Sequence, residues 1–313
     1  MCIRDRVTVA TTDADTSLQQ SRLAAGIGHQ LARRINTLTQ PVAPSAVTDV
    51  ASSQGQAKVA IEQAIASITR TTRERFGDAQ TMLQKALADD PENIDLGVAL
   101  AALQLRGIQM VWYSPEAAAA AESHAGKILE RALKAKPDSI PVLETQCRYL
   151  SATNNFVDSL VACARVLSFD PWNGQALYLV GLGQIFLGRF EDALATFRQA
   201  DRYDTPQVSR WTWLLGAGWA NVLMGRDEDA VPWVQRSLAV TPATGRTHMT
   251  LAAAYQRLGR TEEAKAAMKK GLELRPGTTA QNMAPPTKNA SPLYLEASEG
   301  LIRAMVAAGL PER

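Results

Sequence analysis

The sequence predicts an all-α fold, an α-solenoid of about six helical hairpins with a C-terminal capping helix. Two observations carry that expectation. Prolines close helical runs at Pro91, Pro137, Pro171, Pro206, Pro242 and Pro276, and a spacing of 34 separates Pro137 from Pro171, Pro242 from Pro276, and Ala230 from Ala264. In the best copy, Trp172 to Tyr203, Ala193, Phe197 and Ala200 fall at i, i+4 and i+7 behind a glycine stop at Gly188, which is one face of a helix. A unit of this length is a helix-turn-helix hairpin that cannot bury its apolar face alone, so neighbours must stack.

The elements follow in chain order. The opening MCIRDR (residues 1–6) resembles a leader seen on assembled environmental sequences. On that reading it is an assembly artefact, Val7 is not a natural start, and the parent protein extends upstream. Residues 7–10, VTVA, have strand character. Ser17 to Leu38 reads as an amphipathic helix, because Leu18, Leu23, Ile27, Leu31, Ile35 and Leu38 recur at helical intervals. Residues 7–38 are thus expected to be the remnant of an upstream region, and residues 39–56, rich in Pro, Ser and Gln, a flexible linker.

The repeats are assigned to 57–276, with 57–75 placed on helical composition alone. The second unit is lengthened around RGIQMVWYSPEA, since Pro91 and Pro137 are 46 apart. Within that insertion Trp112 is either an exposed interaction point or a docked packing residue. Ser114-Pro115-Glu116 is a helix start before the alanine run 117–121. In the fourth unit, small residues at Gly181 and Ala193 let two helices approach, Phe197 fills the space between hairpins, and Gly188 suits a positive φ. A loop at 277–290 leads to a helix over 291–310, N-capped by Ser291 with Pro292 behind it and stopped by Gly309 and Pro311. Its stripe of Leu295, Leu301, Ile302, Met305 and Val306 would cover the last hairpin.

The repeat resembles the tetratricopeptide repeat (TPR). The small position opening each second helix is held by Ala79, Ala125, Ser159, Ala193, Ala230 and Ala264, and the next large position by Leu83, Leu129, Cys163, Phe197, Val234 and Met268. Gly188, Gly225 and Gly259 supply the hairpin glycine of the later units. The family's first-helix tryptophan is absent, with Leu143, Leu177, Leu214 and His248 in its place. The resemblance implies a concave groove lined by first helices that takes a protein or peptide. Its candidate residues are Arg148, Gln175, Tyr178, Leu182, Phe186, Leu215, Trp219, Arg246 and Arg257. An apolar, aromatic centre with arginines toward the ends suits an extended or helical peptide bearing carboxylates. The alternative is that Tyr178, Phe186 and Trp219 pack between hairpins or receive the N-terminal helix. The Lys/Asn carboxylate clamp of chaperone-binding TPR proteins is not matched. The flanks resemble C-terminal regions of bacterial regulators, in which a TPR array follows a winged-helix DNA-binding domain or a class III adenylate cyclase.

Composition narrows the function. The net charge is +2 with no basic block, which argues against nucleic-acid binding by this segment. No run of about 18 apolar residues is present, so no membrane span is expected, and the N-terminus lacks an apolar signal core. The three cysteines, Cys2, Cys147 and Cys163, show no metal-ligand spacing and no disulfide framework. Cys147 and Cys163 are read as buried, inert thiols in a reducing compartment. His29, His124 and His248 lie far apart without a triad arrangement. GLGQIFLG lacks the strand that a phosphate loop needs. No catalytic residue, metal site or cofactor is therefore expected. The sequence points to a non-catalytic, cytoplasmic interaction or sensory module, a fragment of a larger bacterial signalling or transcriptional regulator. A free-standing TPR adaptor is the alternative.

Overall fold

The computed structural model describes residues 16–40, 50–70, 73–110, 112–204, 210–242 and 244–313. Among them are α1 (Thr16–Thr39), α2 (Val50–Arg70), α3 (Arg73–Asp89), α4 (Ile94–Gln109), α5 (Pro115–Ala135), α6 (Ile140–Ala152), α7 (Phe156–Phe169), α8 (Gly174–Phe186), α9 (Phe190–Tyr203), α10 (Trp211–Leu223), α11 (Asp227–Val240), α12 (Gly245–Arg257), α13 (Thr261–Leu274) and α14 (Pro292–Ala307). From α2 to α13 they pair as six hairpins, and no strand occurs among the described residues. The strand expected at 7–10 and the proline at 206 lie outside the described residues. The linker expected over 39–56 is corrected in its second part, because α2 already begins at Val50. The alanine- and glutamine-rich run from that point has helical propensity enough to continue into the first hairpin.

The chain divides into two compact units, residues 27–176 and residues 1–26 with 177–313. In the first of these, Asn93 caps α4 by accepting from the Leu96 amide, and Ser114 caps α5 by accepting from Ala117, with Pro115 behind it. The insertion between them is docked. Trp112 and Tyr113 set their rings edge-on to Phe76 at 5.1 and 5.6 Å, and the Tyr113 hydroxyl donates to Gln80 Oε1 at 2.7 Å. Burial pushes the Tyr113 phenol up to about 12.

The same unit corrects the cysteine expectation. Cys147 on α6 and Cys163 on α7 are joined as a disulfide, with Cα atoms 5.2 Å apart. The reason lies in the repeat. These are the small position of a first helix and the large position of a second helix, which must meet in any such hairpin. In the next repeat the equivalent pair is Gly181 against Phe197, and in the one after it Gly218 against Val234. Two cysteines in those places face one another. A disulfide belongs to oxidising compartments, so the cysteines no longer speak for a reducing one.

The residues of α1 in this unit attach by their polar side. His29 Nδ1 lies 2.5 Å from Asp170 Oδ2, both buried. Arg33 donates to Glu144 Oε1 at 2.8 Å. Asn36 donates to the Asp138 carbonyl at 2.7 Å and accepts from the Ile140 amide at 2.9 Å, so it satisfies two backbone groups at the start of α6. Gly28 lets the Trp172 ring come so near that a Cβ would stand 2.5 Å from it. The apolar side faces outward: Ile27, Leu31 and Ile35 are exposed, and Leu38 is 77% exposed.

In the other unit the packing unit is clearest around Phe197, which is fully buried. Its ring lies under Gly181 of its own hairpin and Gly216 of the next, and a Cβ at either would come within 2.5 Å. The glycines leave a slot on each side that the ring fills. The turns close on Gly188, Gly225 and Gly259, with φ of +75°, +72° and +74°, the left-handed conformation glycine adopts without penalty.

Two measurements check this packing. The denatured, unreduced chain is expected to expose one reactive thiol, Cys2, and three after reduction; three before reduction would mean that Cys147 and Cys163 are not joined. Gly181→Ala should destabilise the chain by about 1–3 kcal/mol through overpacking, although alanine in a helix otherwise stabilises by about 1 kcal/mol. Urea unfolding should show this loss, and adding Phe197→Leu should recover part of it.

Candidate protein-binding groove

The candidate residues in 177–313 lie on the first helices α8, α10 and α12, and the structure brings several of them together around α14. This last helix begins where sequence chemistry sets it. Ser291 accepts from the Tyr294 amide as N-cap, with Pro292 at the first position. Its own amide donates to the Phe186 carbonyl at 2.9 Å, tying the start of α14 to the end of α8. Gly188 makes room for that junction, because a Cβ there would stand 2.6 Å from Ser291 Oγ. α14 then packs against α10 and α12. It lies on the first helix of the last hairpin and reaches beyond it to α10 and the end of α8.

An aromatic cluster anchors the contact. Phe186, Trp219 and Tyr294 meet edge-to-face, with centroids 5.1 Å apart for Phe186–Tyr294, 6.0 Å for Phe186–Trp219 and 6.2 Å for Trp219–Tyr294. T-shaped pairs at this range set the positive edge of one ring on the negative face of another. Tyr294 is buried, and burial raises its phenol while the Ser298 hydroxyl and, less, the charge of Arg246 partly oppose that shift. Tyr294, Ser298, Leu301 and Met305, at i, i+4, i+7 and i+11, are buried on α14 together with Ala304. The sequence reading named Leu301 and Met305 but missed Tyr294, whose period with them was the available signal. Leu295, Ile302 and Val306 are only half-buried.

The arginines stand around this contact. Arg257 donates to the Val222 carbonyl at 2.8 Å and lies 3.7 Å from Asp227. Burial raises the Asp227 carboxyl above its ordinary value, and Arg257 partly offsets this. Arg246 is exposed. Burial lowers the Arg275 guanidinium, and the like charge of Arg246 adds to that effect, so this end of the groove is cationic.

The remaining candidates have other places. Tyr178 packs within its own hairpin, its ring 6.5 Å from Phe197. Leu215 is buried and Leu182 half-buried. In the other unit Arg148 is buried, donating to Gln175 Oε1 at 2.5 Å and to Gln109 Oε1 at 3.2 Å. That network engages the Arg148 guanidinium and the Gln175 carbonyl oxygen inside the protein, and both side chains are buried. Among the described residues no cluster of His, Cys, Asp and Glu is placed to hold a metal ion, and no helix is long and apolar enough to cross a membrane.

Residues 245–278, which span α12 and α13, match the tetratricopeptide repeat family. No curated protein matches the chain. Among solved structures, the APC/C hetero-tetramer Cut9–Hcn1 is similar with a TM-score of 0.57 and 15% identity, over 95% of this chain and 53% of that one. PilW, described as a widely conserved type IV pilus biogenesis factor, is similar with a TM-score of 0.54 and 16% identity, over 74% of this chain and 96% of that one. The fold is a helical repeat of the tetratricopeptide type. At these identities the likeness is one of fold, and the chain spans about half of the Cut9–Hcn1 chain.

The aromatic contact gives a direct test. Trp219→Ala and Tyr294→Ala, singly and together, should show a coupling of about 0.5–1.5 kcal/mol in a double-mutant cycle of unfolding free energies. Additive losses would mean that the two rings do not support each other.

Proposed function

We propose that this chain is a non-catalytic interaction scaffold that binds a protein or peptide through the first-helix face of α8, α10 and α12. One observation carries the reading. The aromatic pair Phe186 and Trp219, on two successive first helices, already grips a helix through Tyr294. A face that holds one amphipathic helix by apolar anchors at helical spacing has the chemistry to hold another. The cationic rim of Arg246 and Arg257 adds a preference for carboxylates.

The wider setting is also our proposal. The repeats serve as the interaction or sensory region of a larger bacterial signalling or transcriptional regulator, whose output domain lies upstream; the free-standing adaptor is the second reading. Neither needs nucleic acid, a cofactor or catalysis by these residues. The Cys147–Cys163 bridge fits an oxidising compartment better than the cytoplasm expected from sequence. A photoreactive residue at Leu182 or Arg246 is expected to crosslink a protein partner in extracts of the source cell. One at Lys269, on the exposed side of α13, is not. Crosslinks from Lys269 alone, or from none of the three, would set the groove reading aside.

A further inference from the structure

We propose that α14 is a displaceable resident ligand of this groove, and that the external partner is an acidic amphipathic helix repeating its pattern: an aromatic residue, leucine seven positions on, a flexible apolar residue eleven on, and a carboxylate at the sixth. The inference rests on the reading of the first-helix face as partner-binding and names that partner's chemistry.

Three features argue for displacement. The residues between α13 and α14 include no helix, and their ties to the tail are backbone bonds from Ala280 to the Pro311 carbonyl and from Gln281 to the Glu312 carbonyl. The start of α14 is held by the Ser291 amide on the Phe186 carbonyl, a bond that the backbone of any entering helix can reproduce. Besides Tyr294, the buried face of α14 has only two large apolar side chains, Leu301 and Met305, with the small Ser298 and Ala304 between them, while Leu293 on the same helix is exposed. The receiving side is built for a helix end at one place. Of the hairpin glycines, Gly188 has Ser291 against it, whereas Gly225 and Gly259 have open space at the corresponding point.

The carboxylate follows from a gap. Gly300 gives α14 no side chain next to Arg257. A Cβ there would stand 3.6 Å from the Arg257 guanidinium and 3.7 Å from that of Arg303, which belongs to α14 itself. Arg303 leaves with the helix, and Arg257 stays. An aspartate or glutamate at this place in an entering helix meets Arg257, whose present partners are the Val222 carbonyl at 2.8 Å and the Asp227 carboxylate at 3.7 Å. The resident helix forgoes that ion pair, which leaves an external helix a margin by which to win.

The test uses two labelled peptides, residues 290–310 as they stand and the same segment with Gly300→Glu, against the full chain. The wild-type chain should bind the native peptide weakly, since its own helix competes in cis. Tyr294→Ala in the chain, which loosens the resident helix, should tighten binding about tenfold, as expected when a larger fraction of molecules is open. The Gly300→Glu peptide should bind that chain a further ~3- to 10-fold tighter, and Arg257→Gln should erase the gain. A folded Tyr294→Ala chain that binds neither peptide more tightly, or that binds both alike, overturns the proposal. If that variant loses its helical fold, hydrogen exchange on the wild-type chain decides: α14 amides should exchange well ahead of those of α12, and equal protection overturns the proposal. Failure here with partner crosslinks still arising from Leu182 would sink this inference and leave the interaction reading standing. Failure of both would remove both.

Discussion

Everything in this fold depends on how closely the two helices of a hairpin approach. A side chain on the second helix must find a hollow on the first. Phe197 finds it at Gly181 and again at Gly216, and Val234 finds it at Gly218. Interiors pack at crystal-like density, so such a fit leaves little freedom once made. Each hairpin then offers its neighbour a defined face, and stacking becomes a sum of similar interfaces. The cysteine pair is the same contact solved with a covalent bond: neither residue is large, and the bridge spans what a ring would fill.

This explains what could be read in advance. The small and large positions recur because the approach demands them, so Gly181, Ala193 and Phe197 disclosed the hairpin without coordinates. Ser114 and Ser291 disclosed helix starts because capping is local chemistry. What stayed hidden was non-local. The sequence shows Phe186 and Trp219 on the inner helices, but which segment meets them depends on the path of the loop before α14. Arg148 looked like a groove charge because its position is one; Gln109 and Gln175, distant in sequence, take its donors instead. Cys147 and Cys163 were visible as a pair, yet composition favoured thiols and only their placement joined them.

The two terminal helices show how far a hydrophobic pattern alone can mislead. α14 buries Tyr294, Leu301 and Met305 as an amphipathic helix should. Residues 27–39 of α1 do the reverse, and turn Gly28, His29, Arg33 and Asn36 toward α6, the turn before it and the chain just beyond α7. The reason is the surface they meet. Inter-repeat turns carry Asp138, Asp170 and Asn173 together with unpaired helix-start amides such as that of Ile140, and hydrogen-bonding side chains satisfy such a surface where leucines would strand it.

That inversion changes how the N-terminal helix responds to its surroundings. Attachment through hydrocarbon weakens as water is cooled, whereas attachment through matched polar groups lacks that dependence. The helix should therefore hold its seat in the cold while the aromatic seat of α14 loosens. Its outward leucines and isoleucines, left in water, form an apolar stripe through which molecules would adhere to one another in concentrated solution.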